Sequence, residues 1–269
     1  MTDKPQIVDQ QAHDAFCTFA HNMGLDPDDL WVGRYVDYEW EHGRHVFEHA
    51  CPSLEGQHAL EFGCNYGATA IVLATLGVTV TAIDINEQYV ELAKLNAARY
   101  GLSENITFLH VTDTTQLPFE TAQFDLVSCN SVLEYVPIDI LQKVQGEIDR
   151  VLAKNGLIFI AGTSNRIWPK EVHSGKWWVN YLPPRLDHIL FAGQNLERGV
   201  FPWQILRGFG NYQNADLTAN GKAYLAAKAS MGVAQNRLQI LRITNRLLNL
   251  FGITVGLVTP SISVTLRKA

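Results

Sequence analysis

The spacing of apolar positions changes character twice along the 269-residue chain. Residues 10–50 carry a helical period, in the stretches AHDAFCTFAHNM and YEWEHGRHVFEHA, split by a turn at Asp26-Pro27-Asp28. From residue 58 the pattern becomes short, β-branched apolar runs. These predict strands over 58–63, 78–84, 105–111, 124–130 and 157–162. Helices are expected between them over 66–76, 87–100 and 137–153, with Gly101 and Asn155-Gly156 as stop signals. The tail reads as an amphipathic helix over 236–251, with Leu238, Leu241, Leu247, Leu248 and Phe251 as its apolar positions. Two strands follow, over 252–258 and 261–266, joined by a tight turn at Pro260; strands so closely linked pair antiparallel.

This alternation predicts an α/β fold: a doubly wound, Rossmann-like parallel sheet with a C-terminal antiparallel hairpin, an N-terminal helical segment and a cap insertion. The expected organisation is a helical segment over 1–50 and a cofactor-binding core over 51–164. A cap at the acceptor site follows over 165–235, and 236–269 form a return helix and hairpin that complete the core.

Composition narrows the function. The chain has 21 Lys and Arg against 27 Asp and Glu, a net charge of −6. Its apolar content of 47% excludes disorder by composition, and its charged content of 18% excludes a charged coiled coil. An acidic total argues against wholesale nucleic-acid binding. Cys17, Cys51, Cys64 and Cys129 are scattered, which suggests neither a zinc ribbon nor a disulfide framework. The opening MTDKPQIVDQ is polar, with no signal-peptide core, and no apolar run reaches the roughly 18 residues of a spanning helix. A cytoplasmic protein without a transmembrane segment is expected, with peripheral membrane contact left open. Trp168, Trp177, Trp178 and Trp203 gather in one short stretch that is also locally basic.

In a doubly wound sheet, ligands bind beyond the carboxyl ends of the strands. The first such loop is Glu61-Phe-Gly63-Cys64-Asn65-Tyr-Gly67, and Asp84 ends the second strand, where a carboxylate can accept from both hydroxyls of a ribose. A dinucleotide site prefers G-x-G-x-x-G; here Asn65 stands where its middle glycine would be. Further along come Thr112-Asp113-Thr114, Leu117-Pro118-Phe119 and Phe124-Asp125 through Asn130-Ser131-Val-Leu-Glu134-Tyr135.

In this ordered set, over about 58–163, the sequence resembles the class I S-adenosylmethionine-dependent methyltransferases. The resemblance implies S-adenosylmethionine as cofactor. It assigns Glu61, Gly63, Cys64, Asn65 and Gly67 to the loop that holds the methionyl part, and Asp84 with Ile85 to the ribose and the flank of the adenine. Thr112 and Asp113 fall to the adenine amino group, and Asn130 and Ser131 to the sulfonium region. Asn65 in place of the common second glycine and Tyr135 in place of a frequent histidine are departures.

The acceptor pocket is expected after the fourth and fifth strands. The pattern Asn165-Arg166…Pro169-x-Glu171-x-His173…Leu182-Pro183…Arg185 resembles a subset of bacterial class I enzymes associated with saccharide, glycolipid or small-metabolite acceptors. His173, which titrates near neutrality, is the candidate general base, oriented by Glu171 or Asp187. Tyr35, Trp168, Glu171, Trp177, Trp178 and Tyr181 are the candidate substrate contacts. His42, His45 and His49, at i, i+3 and i+7, have metal-like spacing but read better as a polar helix face; no metal is expected. Asn130-Ser-Val-Leu lacks the Pro-Pro-Tyr run of enzymes that methylate nucleobases, so DNA is not an expected acceptor. The reading is methyl transfer to an O or N atom of a small molecule, saccharide or lipid-linked acceptor. A nicotinamide-dependent oxidoreductase and a non-catalytic, cofactor-binding partner subunit stand as rivals.

Overall fold

The computed structural model describes residues 2–191 and 196–269; residues 192–195, inside the expected cap, lie outside the description. Three helices open the chain: α1 (Gln10–Asn22), α2 (Tyr35–Glu41) and α3 (Gly43–Ala50). The core then alternates β1 (His58–Phe62), α4 (Ala68–Thr75), β2 (Thr79–Asp84), α5 (Glu87–Arg99), β3 (Ile106–His110), β4 (Phe124–Asn130), α6 (Ile138–Val151) and β5 (Leu152–Ser164). The remainder forms α7 (Asp187–Leu190), α8 (Pro202–Gly208), β6 (Tyr212–Asn214), α9 (Ala215–Thr218), α10 (Lys222–Ser230), α11 (Gln235–Asn249) and β7 (Ser261–Lys268).

The strands make one sheet in the order β3-β2-β1-β4-β5-β7-β6, with β1 to β5 parallel and β7 antiparallel to both its neighbours. The chain reverses its winding between β1 and β4, so their carboxyl ends flank the crevice where this architecture binds ligands. Burial on both faces explains the near-continuous apolar strands. Ala59, Val80, Phe108 and Leu126 pack with α3 and α4 on one face. Leu60, Ile83, Val127 and Ile158 pack with Leu141, Val144 and Ile148 of α6 on the other.

The N-terminal segment is fastened to this core by a buried arginine. Arg99, at the end of α5, donates to Gly33 O at 2.6 Å and Asn96 Oδ1 at 2.8 Å, and its guanidinium lies 3.9 Å over the Phe16 ring of α1. Asn96 in turn donates to Tyr66 O, in the loop after β1, at 2.6 Å. One hydrogen-bonded chain thus links the N-terminal helices to the glycine-containing loop.

Three expectations need correction. The antiparallel strands exist, but 252–258 is not one of them: β7 pairs with β5 and with β6 at 212–214. Residues Val255–Leu257 instead form a single 3-10 turn whose backbone is satisfied by side chains. Asn245 Oδ1 accepts from Val255 N, Asn165 Nδ2 donates to Leu257 O, and Trp168 Nε1 donates to Val258 O. With those groups taken, no ladder forms there. Second, the apolar positions of 236–251 divide between two faces. Leu238 is buried, while Leu247 and Phe251 are exposed. Third, His42, His45 and His49 do not share one helix, because the helix breaks at His42-Gly43. His42 stacks on Tyr38, His45 pairs with Glu48, and His49 meets Ser230. Among the described residues, no group of three or more His, Cys, Asp or Glu could hold a metal ion. Nor is any described helix long and apolar enough to cross a membrane.

Candidate active site

The loop after β1 turns through Gly63 (φ +76) and Gly67 (φ +78), a backbone region that disfavours other residues. The close approach these glycines permit is to the protein's own side chains. A Cβ on Gly63 would stand 2.3 Å from Val132 Cγ2, and one on Gly67 would stand 3.1 Å from Ala93 Cβ and Phe108. Asn65 takes φ +48, which asparagine tolerates better than most residues. Asp84, at the end of β2, clamps this loop: its Oδ2 accepts from Asn65 N and its Oδ1 from Asn86 N, both at 2.9 Å. Cys64 is buried beneath the loop, whereas Ile85 is exposed beside Asp84. Thr112 and Asp113 lie on the exposed turn after β3, where Asp113 Oδ1 accepts from the N and Oγ1 of Thr115 at 2.9 and 2.6 Å. Those bonds hold its carboxyl below the ordinary range.

Below the loop is a buried polar floor. The Thr69 hydroxyl and the Ala70 N–H, in the first turn of α4, favour the ionised form of Glu61, as a helix N-terminus does for a carboxylate. Asn130 donates to Thr69 Oγ1 at 3.1 Å and, together with Tyr35, favours the ionised form of Glu39 of α2. Burial pushes the Glu61 and Glu39 carboxyls up, and the Glu39 and Asp84 carboxylates add to the rise at Glu61. Glu61 Oε2 and Asn65 Oδ1 are buried without a hydrogen-bond partner, which is costly unless a donor from outside the chain meets them. An ammonium group, a sulfonium and a ribose diol suit such acceptors, and S-adenosylmethionine brings all three. The residues present fit that group.

The second half of the site stands on β4 and β5. Glu134 follows β4 in a short 3-10 turn, Leu133–Tyr135, and its side chain is 1% exposed. Its Oε1 accepts from Ser164 N at 3.0 Å, Ser131 Oγ at 3.3 Å and His173 Nε2 at 3.0 Å; its Oε2 has no partner. The bond to Glu134 raises the His173 pKa above the ordinary imidazole value. Residues 170–177 form a small closed loop with His173 at its tip: Lys170 bridges Trp177 and Glu171 N donates to Lys176 O. Glu171 braces that loop from inside, accepting from His173 N, Ser174 N and Ser164 Oγ.

His173, Glu171, Asn130 and Ser131 are therefore brought together, but the ring of His173 is oriented by Glu134. Glu171 holds its backbone, and Asp187 is engaged with Arg198 at 2.7 Å. Tyr35 lies beside Glu39 and packs edge-on against Trp31, 5.4 Å between ring centroids, while Trp168, Trp177 and Trp178 stand on the loop after β5. Trp168 is tied to Val258 O and Tyr181 to Ile167 O, while Trp177 and Trp178 are more than half exposed. Trp178 holds a left-handed backbone (φ +69), uncommon for a bulky residue.

Comparison with known proteins agrees with this geometry. The methyltransferase domain family matches residues 60–160. An uncharacterised protein of Haemophilus influenzae is 36% identical over 107 residues, covering 39% of this chain and 41% of its own length. A ubiquinone biosynthesis O-methyltransferase of Coxiella burnetii is 33% identical over 138 residues, covering 51% and 56%. The chain thus spans about half the length of the curated relatives it matches. In fold, it superposes on an S-adenosylmethionine-dependent methyltransferase from Mesorhizobium loti with a TM-score of 0.50 at 17% identity, covering 83% of this chain and 96% of that one. Residues 60–160 thus match a methyltransferase domain within a fold shared with S-adenosylmethionine-dependent methyltransferases, which supports a class I enzyme of that kind with S-adenosylmethionine as its cofactor.

Proposed function

We propose that this protein transfers a methyl group from S-adenosylmethionine to an oxygen or nitrogen atom of a small molecule, with saccharide and lipid-linked compounds as the acceptor classes. The observation that carries the reading is the pairing of a buried acidic floor with a histidine–carboxylate couple at the carboxyl ends of neighbouring strands. The name of the Coxiella relative, an O-methyltransferase, supports an oxygen acceptor.

Bound in this site, S-adenosylmethionine supplies a methyl group already activated on a neutral leaving group, so neither metal nor covalent intermediate is required. Asp84 receives the ribose hydroxyls on the carboxylate that also clamps Asn65. The unpartnered Glu61 Oε2 and Asn65 Oδ1 receive the methionyl end. Gly63, Cys64 and Gly67 set the path of the loop; Ile85, Thr112 and Asp113 border the adenine. Asn130 and Ser131 stand nearest the reacting centre. Fixing donor and acceptor in line contributes on the order of 7–11 kcal/mol towards lowering the barrier.

His173 takes up the acceptor's proton. Its Nε2–H donates to Glu134, which leaves Nδ1 as the free base and Glu134 as the counter-charge for the imidazolium that forms. Glu171 acts as a positioning residue for this loop, and Trp168, Trp177, Trp178 and Tyr181 line the approach of the acceptor.

Labelled S-adenosylmethionine incubated with phenolic, catecholic and saccharide acceptors tests the assignment: label should appear in an extractable product, and less of it with His173→Ala. Absence of S-adenosylhomocysteine binding, or binding of NADH in its place, would overturn it.

A further inference from the structure

Helix α11 is built the wrong way round for a helix that faces only water. Its inward side is seated by buried Leu238 and by Asn245, whose Oδ1 accepts from Val255 N at 2.9 Å. Directed away from them, at i, i+3 and i+7, are Ile240, Ile243 and Leu247, and the turn that ends the helix adds Leu250 and Phe251. These five side chains are 60% to 79% exposed, where a surface helix ordinarily presents polar residues.

Charge is distributed just as unevenly. Residues 217–269 contain seven Lys and Arg and no Asp or Glu, so the acidic total of the chain comes entirely from residues 1–216. Arg237 flanks one edge of the apolar stripe, and Arg242 and Arg246 flank the other. With Lys222, the latter two line a cleft of about 440 Å³ between α10 and α11, whose walls include Leu225 and Leu238. None of these four cations forms an ion pair among the described residues.

We propose that α11 is a membrane-docking helix that lies in the plane of an anionic bilayer surface, its apolar stripe in the interface and Lys222, Arg242 and Arg246 against lipid phosphates. At 15 residues it is too short to span, since spanning takes about 20 residues. A stripe of this width with cationic margins is the pattern of helices that bind in the interfacial plane. A second copy of the chain is a poorer occupant. Pairing two such stripes would set the Arg242 and Arg246 rows of the two copies beside each other with no carboxylate between them. The inference does not depend on methyl transfer, because its test reads binding alone.

The full chain is sedimented with vesicles of phosphatidylcholine and with vesicles of phosphatidylcholine and phosphatidylglycerol. Binding to the mixed vesicles is expected, weakened by salt and absent on the neutral ones. Ile243→Glu with Leu247→Glu should lower affinity about tenfold or more, and Arg242→Gln with Arg246→Gln on the order of thirtyfold. All four positions are exposed, so the variants keep the fold, which unchanged circular dichroism and S-adenosylhomocysteine binding verify. Equal binding to both vesicle types, binding to neither, or undiminished binding by the stripe variant overturns the proposal. So does self-association that Leu247→Glu abolishes without any vesicle binding, which would make the stripe a contact between copies.

Discussion

His173 Nε2 lies 3.0 Å from Oε1 of Glu134, a carboxylate shut away from solvent that also receives the backbone N–H of Ser164. The acid is thereby fixed by β5 while the histidine arrives on a loop from outside the sheet. Charge on the imidazole is favoured by the carboxylate, which holds the His173 pKa above its ordinary value.

The sign of the pH dependence follows. A raised histidine pKa stabilises the fold fully below the ordinary imidazole range, and that contribution fades as pH rises through the raised value. The difference in Tm between wild type and Glu134→Gln should therefore narrow as the solution becomes alkaline. Under the proposed base role of His173, turnover runs the other way, because a base must be neutral: kcat/KM should climb through the raised value. In Glu134→Gln that limb should move to lower pH, as a histidine NMR titration would also report. His173→Ala should lose roughly a hundredfold in turnover with cofactor affinity unchanged. Equal loss of both would assign His173 to cofactor binding instead.

Asp84 already holds the N–H groups of Asn65 and Asn86 on its two oxygens, a clamp on the loop that stands beside its proposed role as ribose acceptor. Asp84→Ala should release the loop as well as delete the ribose acceptor. Hydrogen bonds to a charged acceptor contribute about 1.5–3 kcal/mol each, so calorimetry should show S-adenosylhomocysteine binding weakened about a hundredfold or more. Asp84→Asn keeps an acceptor for one of the two amides and should fall between.

Much of this was legible from residue pattern, and the exceptions have a common cause. The five parallel strands announce themselves because burial on both faces leaves uniform apolar runs, and β2 and β4 fall within one residue of their expected limits. The loop glycines, Asp84 and His173 were visible as residue types suited to a turn, a ribose and a proton. Glu39, Thr69 and Glu134 were not, because their importance comes from contact between elements far apart in sequence. Glu39 gains meaning only when α2 is laid over Asn130, although its i, i+4 spacing from Tyr35 was a local hint. The 252–258 segment misled for the same reason: its β-branched pattern is real, but Asn165, Trp168 and Asn245 claim its backbone.

The Glu39 and Glu61 carboxyls should make cofactor binding proton-linked. Burial raises both pKa values in the free protein, whereas a bound cation favours their ionised forms. Binding then releases protons, which calorimetry in buffers of different ionisation enthalpy detects, and affinity improves as pH rises from the carboxylate range. Glu39→Gln should reduce that release. In the free protein the sign reverses. A carboxyl with a raised folded pKa makes the fold less stable as pH climbs from the unfolded value through the raised one, so wild type should lose stability over that interval and Glu39→Gln should lose less. Proton release identical in both proteins would detach Glu39 from the cofactor.

Gly63 offers a test in which two separate penalties can be divided. Alanine there must adopt φ +76 and must also place a methyl group 2.3 Å from Val132 Cγ2. The backbone term is about 1–2 kcal/mol, and overpacking adds about 1–3 kcal/mol. Gly63→Ala should accordingly lower stability by about 3 kcal/mol in denaturant titration. Val132→Ala removes the Cγ2 that would collide but keeps a Cβ 3.0 Å away, so in the double variant it should restore most of the steric part while leaving the backbone part in place. A coupling energy of about 1–2 kcal/mol between the two sites is the expected result. Additive effects would mean that the clash relaxes elsewhere and that φ alone dictates glycine. Cofactor affinity gives the second readout: with the steric part relieved, the double variant should bind S-adenosylhomocysteine more tightly than Gly63→Ala, because the loop between Glu61 and Gly67 can again close beneath Asp84.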